Sequence, residues 1–344
     1  MGFASGLVSQ LGWAVESTAG TAVTVSKFQP HISEGVKFEV NRAQGEGLYG
    51  STNGVALLSR HVLTTKSVSG DFEVELTDKS LGTLWRAALG STTTPSTLTT
   101  GVYQSVFQPG DQRSAGSSLT LQVGRPQTDG TVKPFTWNGV KISGFEFGGG
   151  VTDPLNVKFD IDGWTQTTAT SLATASYSTT QEQFTGAQLT VAIGGTASTT
   201  TGVVGVTGTT ALAGVKSATV KGENPMATDR YYANASGIKA EQLINGYRTY
   251  EVELEVDFIS QAALYDLYTA NTTTALKLTW ATATSLTGSN NPTLEVIIPA
   301  AKITSAEVNA EGPDVLAQKV TFTALYDGTN APFQIRTVNT DAAL

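Results

Sequence analysis

The sequence predicts a mainly-β protein made of two tandem β-rich units, each with one short helical stretch. Three observations carry this. Apolar and polar residues alternate over many short segments, the period of a strand with one buried and one wet face. Two stretches break that period for a helical one. The segments also recur in the same order in both halves of the 344 residues, as in a tandem duplication.

Residues 1–30 lack a counterpart in the second half and read as an N-terminal arm, with Trp13, Val15, Val23 and Val25 in extended spacing around Gly20. The first repeat spans residues 31–164. It opens with the strand Val36-Lys-Phe-Glu-Val40, followed by Gly45-Glu-Gly47-Leu-Tyr-Gly50. That glycine pattern is formally a nucleotide fingerprint, but a phosphate loop needs a helix directly after it. Ser51-Thr-Asn-Gly54 follows instead, so the stretch reads as a loop.

Asp71 to Leu76 is the clearest alternation, with Phe72, Val74 and Leu76 on one side and Asp71, Glu73 and Glu75 on the other. Leu81 to Leu89 then places Leu81, Leu84, Trp85 and Leu89 on one helical face, the spacing that covers a core. A Ser/Thr/Gly-rich insertion occupies about 91–117. Val140 and Ile142, then Phe145 and Phe147 after a phase break at Ser143, alternate up to Gly148-Gly149-Gly150. With Asp153-Pro154 these glycines supply a chain reversal into Val157, Phe159 and Ile161, predicting an antiparallel hairpin.

Residues 165–214 form a Thr/Ala/Gly-rich connector in which Leu189, Val191 and Ile193 predict an extra strand. The second repeat spans 215–330. Its Glu295 to Thr304 echoes Pro134 to Ser143, Val320 to Ala324 echoes Val157 to Ile161, and Tyr250-Glu-Val-Glu-Leu254 echoes Phe72-Glu-Val-Glu-Leu76, followed by a helical stretch at Gln261 to Tyr268. Leu276 to Trp280 matches Leu119 to Val123, and Val215 to Val220 more loosely matches Val36 to Val40. Residues 331–344 read as a C-terminal arm.

Charged residues make up 15% of the chain, below the usual quarter, and the net charge is −8. No cluster of Lys and Arg is present to neutralise phosphates, which argues against nucleic-acid binding. Without cysteine, disulfides, thiolate metal sites and Cys nucleophiles are excluded. The N-terminus has no basic run before an apolar one and no segment reaches transmembrane length, so synthesis in the cytoplasm and no membrane contact are expected.

A search for chemistry names no catalytic, cofactor-binding or metal-ligating residue. His31 and His61 are the only histidines and have no convincing triad partners. Asp160-Ile-Asp162-Gly163 is a fragment of a calcium loop without its other ligands, and reads as a strand end. The carboxylates Glu251, Glu253 and Glu255, like Glu73 and Glu75, lie two apart on strands. A glycosidase pair would also be two carboxylates, but same-face spacing follows from alternation alone. Trp85 reads as packing rather than a ligand platform.

Taken in order, Gly12 to Val23, Glu39-Val-Asn-Arg42, and Gly130 to Ile142 with the Asp160-Ile-Asp-Gly163 ending resemble the tail tube proteins of long-tailed bacteriophages over most of the chain. The resemblance implies two tandem, non-catalytic β-sandwich or half-barrel domains, each with one short flanking helix, that join neighbours into a large β-barrel ring. Rings stack into the virion's tail tube, assembled in the host cytoplasm, through which viral DNA passes without specific binding. Two fused units imply three chains in a pseudo-hexameric ring; a true hexamer of one tube unit plus an unrelated β domain is the alternative. Tape-measure, terminator and tip proteins are the other implied partners. Within such a ring, Glu73, Glu75, Glu251, Glu253 and Glu255 would face the lumen. The rival classes are a secreted or surface-layer adhesin, which would share the Thr-rich β composition, and a β-sandwich carbohydrate enzyme.

Overall fold

The computed structural model describes residues 5–47, 54–92, 95–113, 117–233, 236–308, 313 and 315–344. Strands β1 (Gln10–Val15), β2 (Lys27–Phe28), β3 (His31–Glu34), β4 (Lys37–Gln44) and β5 (His61–Glu75) precede helix α1 (Gly82–Leu89). After it come β6 (Gly90–Thr92), β7 (Ser96–Thr99), β8 (Val102–Pro109), β9 (Leu119–Pro126), β10 (Val132–Gly150), β11 (Asn156–Gly163) and β12 (Thr165–Thr167). The middle of the chain supplies β13 (Leu189–Ile193), β14 (Thr196–Thr200), β15 (Val203–Thr207) and β16 (Thr210–Ala211). Strands β17 (Val215–Glu223), β18 (Met226–Ala227), β19 (Leu243–Ile244) and β20 (Thr249–Asp257) lead to α2 (Gln261–Thr269). The chain closes with β21 (Thr274–Ala281), β22 (Thr293–Val308), β23 (Ala317–Ala324) and β24 (Gln334–Asn339). The fold is mainly β, as expected. Residues 48–50, the last part of the glycine pattern, lie outside the described residues.

One antiparallel sheet runs through the molecule in the order β4–β5–β11–β10–β17–β20–β23–β22. It does not close: no ladder among the described residues joins β4 to β22. Strands β10 and β22 are long because each serves two layers. The first part of β10 pairs with β9 and β12, its second part with β11 and β17. Likewise the first part of β22 pairs with β21 and β24, its second part with β23. Each strand passes between layers through a bulge, at Ser143 and at Thr304, where one extra residue bends the strand. The phase break at Ser143 in the sequence is this bulge.

The core lies between the long sheet and the second layer. On the sheet's inner face Phe72, Val74, Phe145, Phe147, Val157 and Phe159 are buried. Helix α1 drops Trp85 onto them, with its ring 5.4 to 5.7 Å from those of Phe145, Phe147 and Phe159 and edge-on to all three. Such edge contacts match the positive ring edge of one aromatic to the negative face of another. From the second layer, Trp280 on β21 reaches Phe147 at 5.8 Å.

The segments expected as arms are docked on their own chain. Strand β1 pairs with β9 and β2, and Leu11 and Trp13 are fully buried. Strand β24, from the C-terminal segment, inserts between β22 and β8, the latter inside the 91–117 stretch. The two pieces without counterparts thus complete each other.

Candidate assembly surface

The long sheet turns its charged side chains away from the core. Because side chains alternate along each strand, burial of Phe72 and Val74 sends Glu73 and Glu75 to the opposite face, and burial of Val252, Leu254 and Val256 does the same for Glu251, Glu253 and Glu255. Directly opposed residues share a face, and the register runs Glu73, Lys158, Glu146, Lys221, Glu251 across five successive strands. All five glutamates singled out from the sequence therefore lie on one face of one sheet, in two groups separated by β11, β10 and β17.

The face is not the unbroken run of carboxylates that the glutamates alone imply. Lysines are interleaved. Lys158 lies 3.7 Å from Asp71 and 3.6 Å from Asp160. Lys221 lies 3.2 Å from Glu253 and 4.0 Å from Glu146, and Lys319 lies 3.4 Å from Glu253. Burial opposes ionisation of Glu253, but Lys221 and Lys319 outweigh it and hold the carboxyl below the usual range. Sequence reasoning missed these lysines. Their alternation in Val157-Lys-Phe-Asp and Val220-Lys-Gly-Glu was visible, but which carboxylate each meets depends on cross-strand register.

At one end of this face residues 225–233 and 236–248 lie over the sheet and bury the ammonium groups of Lys141 and Lys239 against carboxylates. Lys239 Nζ meets Asp162 Oδ1 at 2.5 Å, and Gln242 Nε2 donates to Asp162 Oδ2 at 2.7 Å. Burial pushes the Asp162 carboxyl up, against the pull of Lys239 and Gln242. Lys141, 1% exposed, donates to Glu241 Oε1 at 2.7 Å, to the Gln112 carbonyl at 2.8 Å and to the Gln242 carbonyl at 3.0 Å. The calcium-like fragment thus has an ammonium group at Asp162, and belongs to a strand end.

The sheet's two outermost strands each present a row of main-chain donors and acceptors. Strand β4 pairs only with β5, and the 305–308 part of β22 only with β23, among the described residues. Lys37, Glu39 and Glu307 on these edges are exposed. An open edge is a template for another strand.

A family model described as phage tail tube protein matches residues 6–324. The chain belongs to that family. No match is found among curated proteins. As a tail tube protein it is a structural component of a phage tail, and the mainly-β fold and edge-bearing sheet are the properties a self-assembling tube subunit needs. No described helix is long and apolar enough to cross a membrane.

Proposed function

We propose that this tail tube protein polymerises as stacked rings, three chains to a ring, around a channel that delivers the genome into the host. The observation that carries the reading is the open eight-stranded sheet whose terminal strands, β4 and the second part of β22, each leave one edge free among the described residues. A closed ring of such sheets removes every edge. Three copies would bring about two dozen strands, enough to leave an open channel where small barrels are filled by side chains.

Three chains rather than six follow from two units per chain. The ladder order β4–β5–β11–β10 recurs as β17–β20–β23–β22, with a bulge at the same place in the last strand of each. On this reading residues 31–164 and 215–330 are two tube units, and the pieces 1–30, 91–117, 165–214 and 331–344 add strands β1, β8, β13 and β24 to the second layer that β9 and β21 form with the first parts of β10 and β22. The charged face carrying Glu73, Glu75, Glu251, Glu253 and Glu255 lines the lumen. Carboxylates outnumber lysines there, and a duplex with one phosphate charge per about 1.7 Å is repelled rather than held.

The tube forms in the host cytoplasm, around a tape-measure protein and between tip and terminator proteins, and has no catalytic role. Electron cryomicroscopy of purified assemblies tests the reading: stacked three-chain rings with β20 at the channel wall are expected. Six chains per ring would sink the duplication, and glutamates on the outer wall would sink the lumen assignment.

A further inference from the structure

We infer that the free edge of β22 in one copy pairs with the free edge of β4 in the next, in the register that β10 and β17 already use inside the chain. The inference rests on the ring reading above and adds which residues meet.

Inside the chain the two units are stitched by β10 and β17, with Gly144 opposite Glu223, Phe145 opposite Gly222 and Glu146 opposite Lys221. Strand β22 lies on β23 as β10 lies on β11. In the first case the register passes from Ile303 opposite Phe322 to Ser305 opposite Thr321; in the second, from Ile142 opposite Ile161 to Gly144 opposite Asp160. Ser305, Ala306 and Glu307 therefore stand where Gly144, Phe145 and Glu146 stand. Following the ladders from β23 through β20 to β17, and from β11 through β5 to β4, puts Lys37 in the place of Lys221 and Glu39 in that of Glu223. The sequences agree at these places, Val36-Lys-Phe-Glu39 against Val220-Lys-Gly-Glu223.

Transferring the internal register sets Glu307 opposite Lys37, Ala306 opposite Phe38 and Ser305 opposite Glu39 of the next copy. The chemistry fits twice. Glu146 and Lys221 are 4.0 Å apart at the internal junction, and Glu307 and Lys37 repeat that charge pair. The internal junction also packs large against small: a Cβ on Gly222 would lie 2.3 Å from the Phe145 ring. At the outer junction the sizes are exchanged, with alanine on the β22 side and phenylalanine on the β4 side. Phe38 is half-buried in the single chain, and a neighbouring strand would finish covering it.

A carbodiimide, which couples only an amine and a carboxylate in contact, tests this on the unmodified protein. A mixture of isotopically light and heavy chains is assembled, coupled and digested. Mass spectrometry is expected to find Lys37 joined to Glu307 between chains, while Lys221 joined to Glu146 within a chain reports that the coupling works. Because the chain has no cysteine, a second arm is clean: Lys37→Cys with Glu307→Cys should oxidise to covalent oligomers, and Lys37→Cys with Ser305→Cys, one diagonal out of register, should not. Rings whose interchain links fall elsewhere, β4 to β4 included, would overturn the register and leave the tube reading standing. Unmodified protein that stays a single chain under the conditions expected to give rings would overturn both. Should the cysteine variants fail to fold, the carbodiimide result alone decides.

Discussion

Lys141 shows at the residue scale how this chain uses charge inside the fold. Its ammonium satisfies three acceptors from two separate segments, so it ties the 112 region and the 241–242 region to β10. Removing one partner of a buried pair leaves the others unpaired and costs more than the pair contributes. Lys141→Met is expected to lower stability by about 3 kcal/mol, read from urea unfolding; an unchanged midpoint would show the pair to be solvent-relaxed. Asp78 makes a different prediction. Burial pushes its carboxyl up to about 6, while the amide of Glu182 and the charge of Lys79 pull it down. The folded state then keeps the proton that the unfolded chain releases near pH 4, so stability falls as pH rises from about 4 to about 6. Asp78→Asn keeps an oxygen for the Glu182 amide at 2.8 Å and abolishes the titration. The variant's unfolding free energy should lose this part of the slope, on the order of 1–2 kcal/mol after solvent screening. An identical slope in both proteins would refute the assignment.

Among the elements, those with an unbroken local period were legible in the sequence. The alternations around Phe72, Phe147 and Val252 are strands with the expected faces inward, and α1 buries the residues its spacing selected, Leu81, Leu84, Trp85 and Leu89. What depends on distant pairing was not legible. Matching Tyr250-Glu-Val-Glu-Leu254 to Phe72-Glu-Val-Glu-Leu76 is natural by eye, yet the ladders set Leu254 against Val320 as Phe72 stands against Phe159, a shift of four residues. An Glu-Val-Glu pattern looks the same after any even slip, so faces survive while register stays open. For the same reason the lysines between the glutamates were not legible, and residues 1–30 and 331–344 read only as arms because their strand partners lie far away in sequence. Strand β24 now carries a sharper expectation. Phe333 and Ile335 are fully buried, and β24 bridges β22 and β8. Deleting residues 331–344 should therefore yield unfolded or insoluble chain, seen by circular dichroism and solubility; soluble, native-like protein would show the second layer to be dispensable.

For the whole molecule, if the charged face lines the lumen as proposed, it sets the terms on which a polyanion would pass. Glu253 holds two lysines, so reversing it would unbalance the sheet itself as well as any proposed lumen charge. The cleaner variant is Glu75→Lys with Glu255→Lys, on the same face in the two halves of the sheet. Rings should still form, but their assemblies should retain duplex DNA at low salt and release it as salt screens the contact. Retention measured by co-sedimentation that matches the unmodified protein at every salt concentration would move the lumen away from this face.

The placing of the two open edges at opposite ends of the chain also governs when a subunit becomes sticky. Strand β4 leaves the ribosome early, but the part of β22 that would complement it follows more than 250 residues later, on the order of tens of seconds at ordinary elongation rates. Strand β24, which locks β22 against β8, comes later still. On the proposed joint, nascent chains on one message would carry one half of it without the other, so the order of synthesis itself would limit premature joining on the polysome.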